Sequence, residues 1–292
     1  MEKDIEIENE EFIEEEKSSG GFRKFFFTSI LIIVLMVVYA RYVGTTGLIT
    51  KEYNINNSNL PKSFNGFKIV HFSDFHYGRT TNLDSLKKLV KDINNYKPDL
   101  VFFTGDFIDK YKKVSDDEIN NIINELSNID STYGNYYVTG NHDIKFKKYD
   151  EMMNNSNFIS LDDKAEIITN TSNESILISG SNYKSDLSYL EELFGNKLPN
   201  YKINIMHTPD TFDDLTHNFD LVLAGHSHNG QVVIPFYGGV YKIKGAYKYN
   251  KPYYKIDNTD FYISSGVGTS TFDFRLFNRP SFNLYRLKNS DN

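Results

Sequence analysis

The groups able to do chemistry in this chain are few and clustered. There are seven histidines and no cysteine. Two of the histidines stand one residue apart in Gly225-His226-Ser227-His228-Asn229-Gly230, directly after the apolar run Leu221-Val222-Leu223-Ala224. Three more close other apolar runs beside a carboxylate or an amide: His76 in Ser73-Asp74-Phe75-His76, His142 in Gly140-Asn141-His142-Asp143, and His207 in Ile205-Met206-His207-Thr208-Pro209. Gly105-Asp106-Phe107-Ile108-Asp109 takes the same position after Leu100-Val101-Phe102-Phe103, with carboxylates only. Imidazole, carboxylate and amide oxygen ligands suit Mn, Fe, Co, Ni or Zn. The lack of cysteine excludes thiolate sites and a disulfide framework. Ligands that recur where strands meet loops point to a metal-dependent enzyme.

Singly, most of these clusters say little. Asp74 and His76 are an i, i+2 pair whose side chains can point the same way, yet Asp-x-His is commonly a turn beside a surface histidine. Gly105 lets the backbone bend sharply before Asp106, as in many turns. Asn141 and His142 together supply a metal ligand and a proton donor. The double histidine between glycines is the most specific, because packing alone gives no reason to keep it. His71 lies inside a predicted strand and reads as a packed core histidine, and His217 sits in a polar segment and reads as solvated. Tyr241 to Lys255 interleaves lysine and tyrosine. It reads as a solvated hairpin with tyrosines packed on one side, the alternative being contact with an anionic lipid or wall surface. Gly180-Ser181-Asn182-Tyr183 follows a strand and is a candidate to line the substrate entrance, with no chemical role assigned to it.

The elements that must position these groups alternate short apolar runs with helical patterns, as in a layered α/β domain. Lys68 to Phe72 and Leu100 to Thr104 read as strands around a helical stripe at Leu83, Leu86, Val90 and Ile93. Ser115-Asp116-Asp117-Glu118 is a capping box, followed by Ile119, Ile122, Ile123 and Leu126 on one helical face. Tyr136 to Val138, Ile176 to Ile178, Ile203 to Met206 and Leu221 to Leu223 continue the strand series. Gln231 to Ile234, Phe261 to Ile263 and Phe282 to Leu287 are expected to form a second sheet. The clusters then fall at the C-terminal ends of successive strands, where open α/β sheets bind their ligands.

Residues 1-21 form an acidic tail expected to be disordered. The uncharged run from Phe25 to Ala40 covers about 24 Å as a helix and, with Tyr39, Tyr42 and Val43, reads as a membrane anchor over 22-43, a cleaved signal peptide being the alternative. Lys17, Arg23 and Lys24 before the run, against Arg41 and Lys51 after it, place the catalytic domain outside the cytoplasm of a single-pass cell-membrane protein. Residues 44-65 are expected to be a linker, within which Thr45 to Asn59 reads as linker or as an opening irregular strand, and 66-292 the catalytic domain. The net charge is -7, but nine acidic and five basic residues in the first fifty leave 30 against 27 for the rest. So balanced a catalytic region lacks the basic face that sequence-independent nucleic-acid binding requires.

In order, Asp-x-His, Gly-Asp-x-x-Asp, Gly-Asn-His-Asp, His and Gly-His-x-His resemble the calcineurin-like metallophosphoesterase superfamily over about Gly66 to Leu287. The resemblance is closest to its bacterial membrane-associated phosphodiesterase branch, through Gly225 to Gln231 and through Gly266-Val267-Gly268-Thr269, Arg275 and Pro280. It implies an αββα sandwich of two mixed sheets flanked by helices, here preceded by one transmembrane helix. It also implies two divalent ions (Mn, Fe or Zn), one held by Asp74, His76 and His228, the other by Asn141, His207 and His226, with Asp106 bridging. By the same resemblance His142 steadies the phosphoryl oxygens or protonates the leaving group, oriented by Asp109, while a hydroxide held between the ions attacks. The branch implies a phosphodiester or pyrophosphate substrate, and the anchor, which places the site near a membrane surface, points to a lipid-linked or cell-envelope molecule. The rivals are a protein or nucleotide phosphatase, a nuclease, and a non-catalytic metal- or partner-binding module. Lys110 and Asp143 stand where protein phosphatases of this fold have Arg and Glu, and a lapsed enzyme would have lost ligands that this chain retains.

Overall fold

The C-terminal run Ser281–Asn289 shows how the domain is assembled. Its side chains alternate between two apolar environments, Phe282 and Leu284 in one and Tyr285 and Leu287 in the other, so it must lie centrally in a sheet covered on both faces. In the computed structural model, which describes residues 19–109 and 114–291, this strand lies inside the first of two six-stranded sheets.

The first sheet comprises β1 (Ile49–Asn57), β2 (Lys68–Phe72), β3 (Leu100–Phe103), β4 (Asn135–Tyr137), β5 (Phe158–Ser160) and the C-terminal strand, and the second comprises β6 (Lys164–Thr169), β7 (Ser175–Ser181), β8 (Lys202–Met206), β9 (Leu221–Ala224), β12 (Tyr253–Ile256) and β13 (Thr259–Ile263). A separate two-residue ladder pairs β10 (Val233–Ile234) with β11 (Gly238–Gly239), so that the C-terminal strand is β14. Sheet order is β1-β14-β2-β3-β4-β5 and β12-β13-β9-β8-β7-β6. Strands β2 to β5 run parallel, as do β7, β8, β9 and β13, with antiparallel pairings at β14–β2, β6–β7 and β12–β13.

Period-two alternation along the parallel strands builds four layers. Val70 and Val101 meet Leu86, Val90 and Ile93 of α2 (Leu83–Asn95) on the outer face of the first sheet, where α3 (Asp116–Leu126) and α4 (Tyr149–Asn155) also pack. Ile69 and Leu100 point the other way, into the layer shared with Ile178, Ile203 and Leu223 of the second sheet. Val222 and Phe261 face Leu190 of α5 (Tyr189–Phe194) on the far side. This is the expected αββα sandwich. The predicted stripe of α2 and the Ser115–Glu118 capping box of α3 are both present, the latter with reciprocal bonds of 3.0 and 3.2 Å.

Three expectations change. Phe282 to Leu287 belongs to the first sheet rather than the second, for the two-faced burial just described. Val232 and Val233 join neither sheet; only Phe261 to Ile263 takes the expected second-sheet place. The 44-65 linker contains β1, which pairs with β14 along nine residues in parallel register. An edge strand with one buried apolar side chain, Ile55, needs little hydrophobic sequence, so its polar composition left linker and opening strand both open and the structure selects the strand.

The helix α1 (Ser19–Val38) runs on through a π-turn to Val43, with its large apolar side chains exposed from Phe22 onward. Gly21–Val43 is 23 residues long, about 35 Å of helix and enough for a ~30 Å hydrocarbon core. The tail to residue 18 and Lys110 lie outside the described residues.

Candidate metal centre

Every cluster singled out in the sequence comes to one rim of the sandwich, at the C-terminal ends of β2, β3, β4, β8 and β9. The loops after β2 and β3 are zipped together by backbone bonds from Asp74 N to Gly105 O (2.9 Å) and His76 N to Asp106 O (3.1 Å). Asp74, His76, Asp106, His226 and His228 all adopt positive φ, between 48° and 65°. Non-glycine residues avoid that region unless their surroundings hold them there, and such strain collects at functional sites. Here each turn aims a side chain back over the strand end. Gly105 (φ 89°) permits a close approach, since a Cβ there would lie 2.6 Å from Gly140 N and 2.8 Å from His207 Nδ1.

Three groups of donors result: Asp74, His76 and His228; Asp106, His207 and His226; and, at the mouth and sharing His76, Asp109 and His142. In the first, His76 Nε2 lies 3.1 Å from His228 Nε2, which is 3.5 Å from Asp74 Oδ1. In the second, His207 Nε2 lies 3.1 Å from both His226 Nδ1 and Asn141 Oδ1. Asp106 Oδ2 stands between the first two groups, 3.5 Å from His207 Nε2 and 3.9 Å from His76 Nε2. All seven expected ligands are thus brought together.

The chemistry of this donor set fits divalent cations. Burial, with His207 next to it, pulls His226 down to about 4, and burial, with His76 beside it, pulls His228 well below its ordinary value, so both rings offer lone pairs. Burial alone would raise the Asp106 carboxyl, but His207, His76 and His142 hold it well below the usual range. Asp106 in turn outweighs burial at His207 and pushes that ring up to about 9. Buried carboxylates call for compensating positive charge at this spot, which a cationic His207 ring or a bound divalent ion would supply.

His142 sits at the mouth, partly exposed, with Nδ1 3.2 Å from Asp109 Oδ1 and its backbone N–H donating to Asp106 Oδ1 at 2.8 Å. Burial lowers its basicity, but the Asp109 bond and the Asp106 charge reverse that and leave it raised. Asp109 Oδ1 also lies 3.5 Å from His76 Nδ1, and Asp109 Oδ2 accepts from Arg79 at 3.5 Å. A cleft of about 230 Å³ opens over this group, lined also by Tyr183, Lys244 and Thr271. Tyr183 therefore has the expected place at the entrance. A larger depression of about 830 Å³ beside Asp150 and Lys164 holds no such convergence of donors.

Sequence reasoning missed the groups that hold the ligands in place. The buried Asp143 carboxylate accepts from the backbone of Asp106 (2.7 Å), Phe107 (2.8 Å) and Gly140 (2.9 Å), tying the β3 and β4 loops together. Its place in Gly140-Asn141-His142-Asp143 was the available signal. The fully buried Arg275 donates through Nη2 to the carbonyls of Ser265 (2.7 Å) and Gly266 (3.0 Å) and lies 3.2 Å from His228 Nδ1, while Asn278 donates to His228 O at 2.6 Å. Nothing local in the sequence links these two to His228. Of the other histidines, His71 is a buried core residue against Thr104 Oγ1 (2.9 Å), as expected. His217 is less solvated than expected, stacked at 4.1 Å on Phe194. Tyr241 to Lys255 is irregular except for β12, with Lys248 paired to Asp213 and Tyr249 buried.

The model of the calcineurin-like phosphoesterase family matches residues 67–230. The uncharacterized metallophosphoesterase YkuE of Bacillus subtilis is 30% identical over 266 residues, covering 87% of this chain and 90% of its own length. An uncharacterized metallophosphoesterase of Campylobacter jejuni is 27% identical, over 82% of this chain and 64% of its own. A transmembrane protein with metallophosphoesterase domain from Danio rerio is 25% identical, over 78% and 55%. With the family model spanning more than half its length and carrying all seven donors just described, this chain belongs to the calcineurin-like phosphoesterase family.

Proposed function

We propose that the chain is a membrane-anchored phosphodiesterase acting on a lipid-linked or cell-envelope phosphodiester or pyrophosphate, with Asp74, His76 and His228 holding one divalent ion, Asn141, His207 and His226 a second, and Asp106 both. The observation that carries this reading is the position of Asp106 Oδ2 between the two donor groups. Two such ions, when bound, supply an activated water and neutralise charge on the phosphoryl group. The protein supplies the remainder. Asp74 and Asp106 fix the spacing of the two groups, and the buried rings exclude bulk water from one side of the cleft. His142, at the open side, is placed to hold a phosphoryl oxygen or pass its Nε2 proton to the departing oxygen. Asp109 keeps the Nδ1 proton of that ring in place and sustains its basicity, so it acts as a positioning residue. The length and exposure of α1 support the anchor, and the branch resemblance supports the diester preference.

The test is turnover of bis(p-nitrophenyl) phosphate beside p-nitrophenyl phosphate by the full chain in detergent micelles, with Mn²⁺, Fe²⁺ and Zn²⁺ supplied in turn. The diester should be favoured. His142→Ala should lose about 10²- to 10⁴-fold in turnover while retaining two equivalents of metal. Loss of metal in that variant would remove His142 from its role, and inactivity of the native chain with every ion on both substrates would overturn the enzymatic reading.

A further inference from the structure

The β10–β11 hairpin has a feature that the metal centre does not use. At its tip Phe236 is fully exposed, at 111% of its reference area, and is held at φ 69°. A bulky side chain in the left-handed region costs about 1 kcal/mol or more, and nothing among the described residues covers this ring. Ile234 and Tyr237 beside it are exposed too, and so are Phe272 and Phe277 on the neighbouring loop. Tyr241 and Phe272 meet edge to face at 5.6 Å and bridge the two segments. A contiguous apolar patch of this kind on a folded surface marks a contact site.

Its location identifies what it contacts. The base of the hairpin is pinned to the loop by Val233 N donating to Leu276 O at 2.9 Å, and the adjacent Arg275 N donates to Ala40 O, in the last turn of the apolar helix, at 2.9 Å. Asp273 of the same loop lies 3.9 Å from Arg41 and 2.7 Å from Arg79, which reaches on to Asp109. The patch is therefore continuous with the end of α1. It also borders the cleft, whose wall includes Lys244 and Thr271. Lys242 and Lys244 follow the hairpin directly and are exposed. Aromatic and apolar tips next to lysines suit the boundary between acyl chains and anionic headgroups.

We propose that the 233–241 hairpin and the 272–277 loop form a second membrane contact beside the helical anchor, seating the mouth of the metal centre at the lipid headgroups of an anionic bilayer. The inference rests on the membrane-spanning reading of α1. It implies that substrate enters laterally, as a phosphoester whose apolar portion stays in the bilayer. The base of the hairpin is fixed to the metal-centre wall, because Gly230 and Gly239 bring it into backbone contact with the His228 segment.

The absence of cysteine allows single labels. Phe236→Cys, Leu35→Cys and Asn173→Cys, the last in the exposed β6–β7 turn, would each carry an environment-sensitive fluorophore in full chain reconstituted into phosphatidylglycerol–phosphatidylcholine vesicles. The expected result is quenching of the 236 label by brominated acyl chains and protection from aqueous iodide, with the reverse at 173. Iodide quenching at 236 while the label at 35 is quenched by lipid would overturn the second contact and leave the anchor standing. Aqueous exposure at 35 would instead overturn the anchor. A 236 label shielded from both quenchers would also refute the proposal, since it would mean that a second copy or another protein covers the patch.

Discussion

Replacing Asp143 tests the claim that the geometry of the metal centre depends on a residue that touches no substrate. Its carboxylate is fully buried and accepts three backbone N–H groups, those of Asp106 and Gly140 on one oxygen and that of Phe107 on the other. Asp143→Ala leaves three buried donors unpaired, at about 1–3 kcal/mol each. Water admitted to the space left behind recovers part of this, so a net loss of about 4 kcal/mol is expected. Asp143→Asn keeps one acceptor oxygen. Turned to serve Asp106 and Gly140, it leaves only the Phe107 N–H facing an amide N–H, a loss of about 2 kcal/mol. At roughly 2–4 °C per kcal/mol for a domain of this size, thermal unfolding in micelles should drop by about 8–16 °C for alanine and about 4–8 °C for asparagine. Because Asp143 acts on the backbone that carries Asp106 and Asn141, metal retention against a chelator should weaken in the same order, by about 10- to 100-fold for the alanine variant. Equal losses in the two variants would show that the charge matters rather than the number of bonds. A normal melting temperature for the alanine variant would refute the account of the loop junction altogether.

Two further outcomes follow from the fold. Burial pulls His71 down to about 3, against an unfolded value near 6.5, so the folded state holds it neutral. The unfolded chain then binds the extra proton, and the stability contributed by this group is complete above about pH 6.5 and falls by about 1.4 kcal/mol per unit as the pH drops towards 3. His71→Asn should remove that part of the slope in denaturant titrations at pH 7, 6 and 5; a slope equal to that of the native chain would discount His71 as its source. Gly105→Ala puts a Cβ 2.6 Å from Gly140 N and 2.8 Å from His207 Nδ1 at a φ of 89°. It should cost about 3 kcal/mol or more through strain and overpacking, read as a melting-temperature loss accompanied by lower metal content, and a stable variant with full metal would show that the loops have room to part.

Much of the layered architecture and all of the candidate ligands were legible in the chain. Runs such as Leu100 to Phe103 and Leu221 to Ala224 are apolar without interruption because parallel strands are buried on both faces, and the chemistry-bearing residues stand directly after them. The α2 stripe and the Ser115–Glu118 box are local patterns, readable because a helix satisfies its hydrogen bonds within a few residues. What failed was non-local. β1 has too little apolar sequence to distinguish an opening strand from a linker, and only its partner β14, more than two hundred residues away, decides for the strand. For the same reason the sheet that takes β14 could not be read from Phe282 to Leu287 alone.

The sequence by itself thus determined the donor inventory and the order in which strands deliver it, because ligand type and strand pattern are local properties. Only the tertiary structure decided the distances at which Asp106 stands between the two donor groups, that Asp143 and Arg275 hold the loops and His228 in place, and that the end of the apolar helix lies against the loop beside the cleft. Those relations depend on backbone turns at positive φ and on hydrogen bonds between segments far apart in the chain, and they exist only once both sheets have closed around a common core.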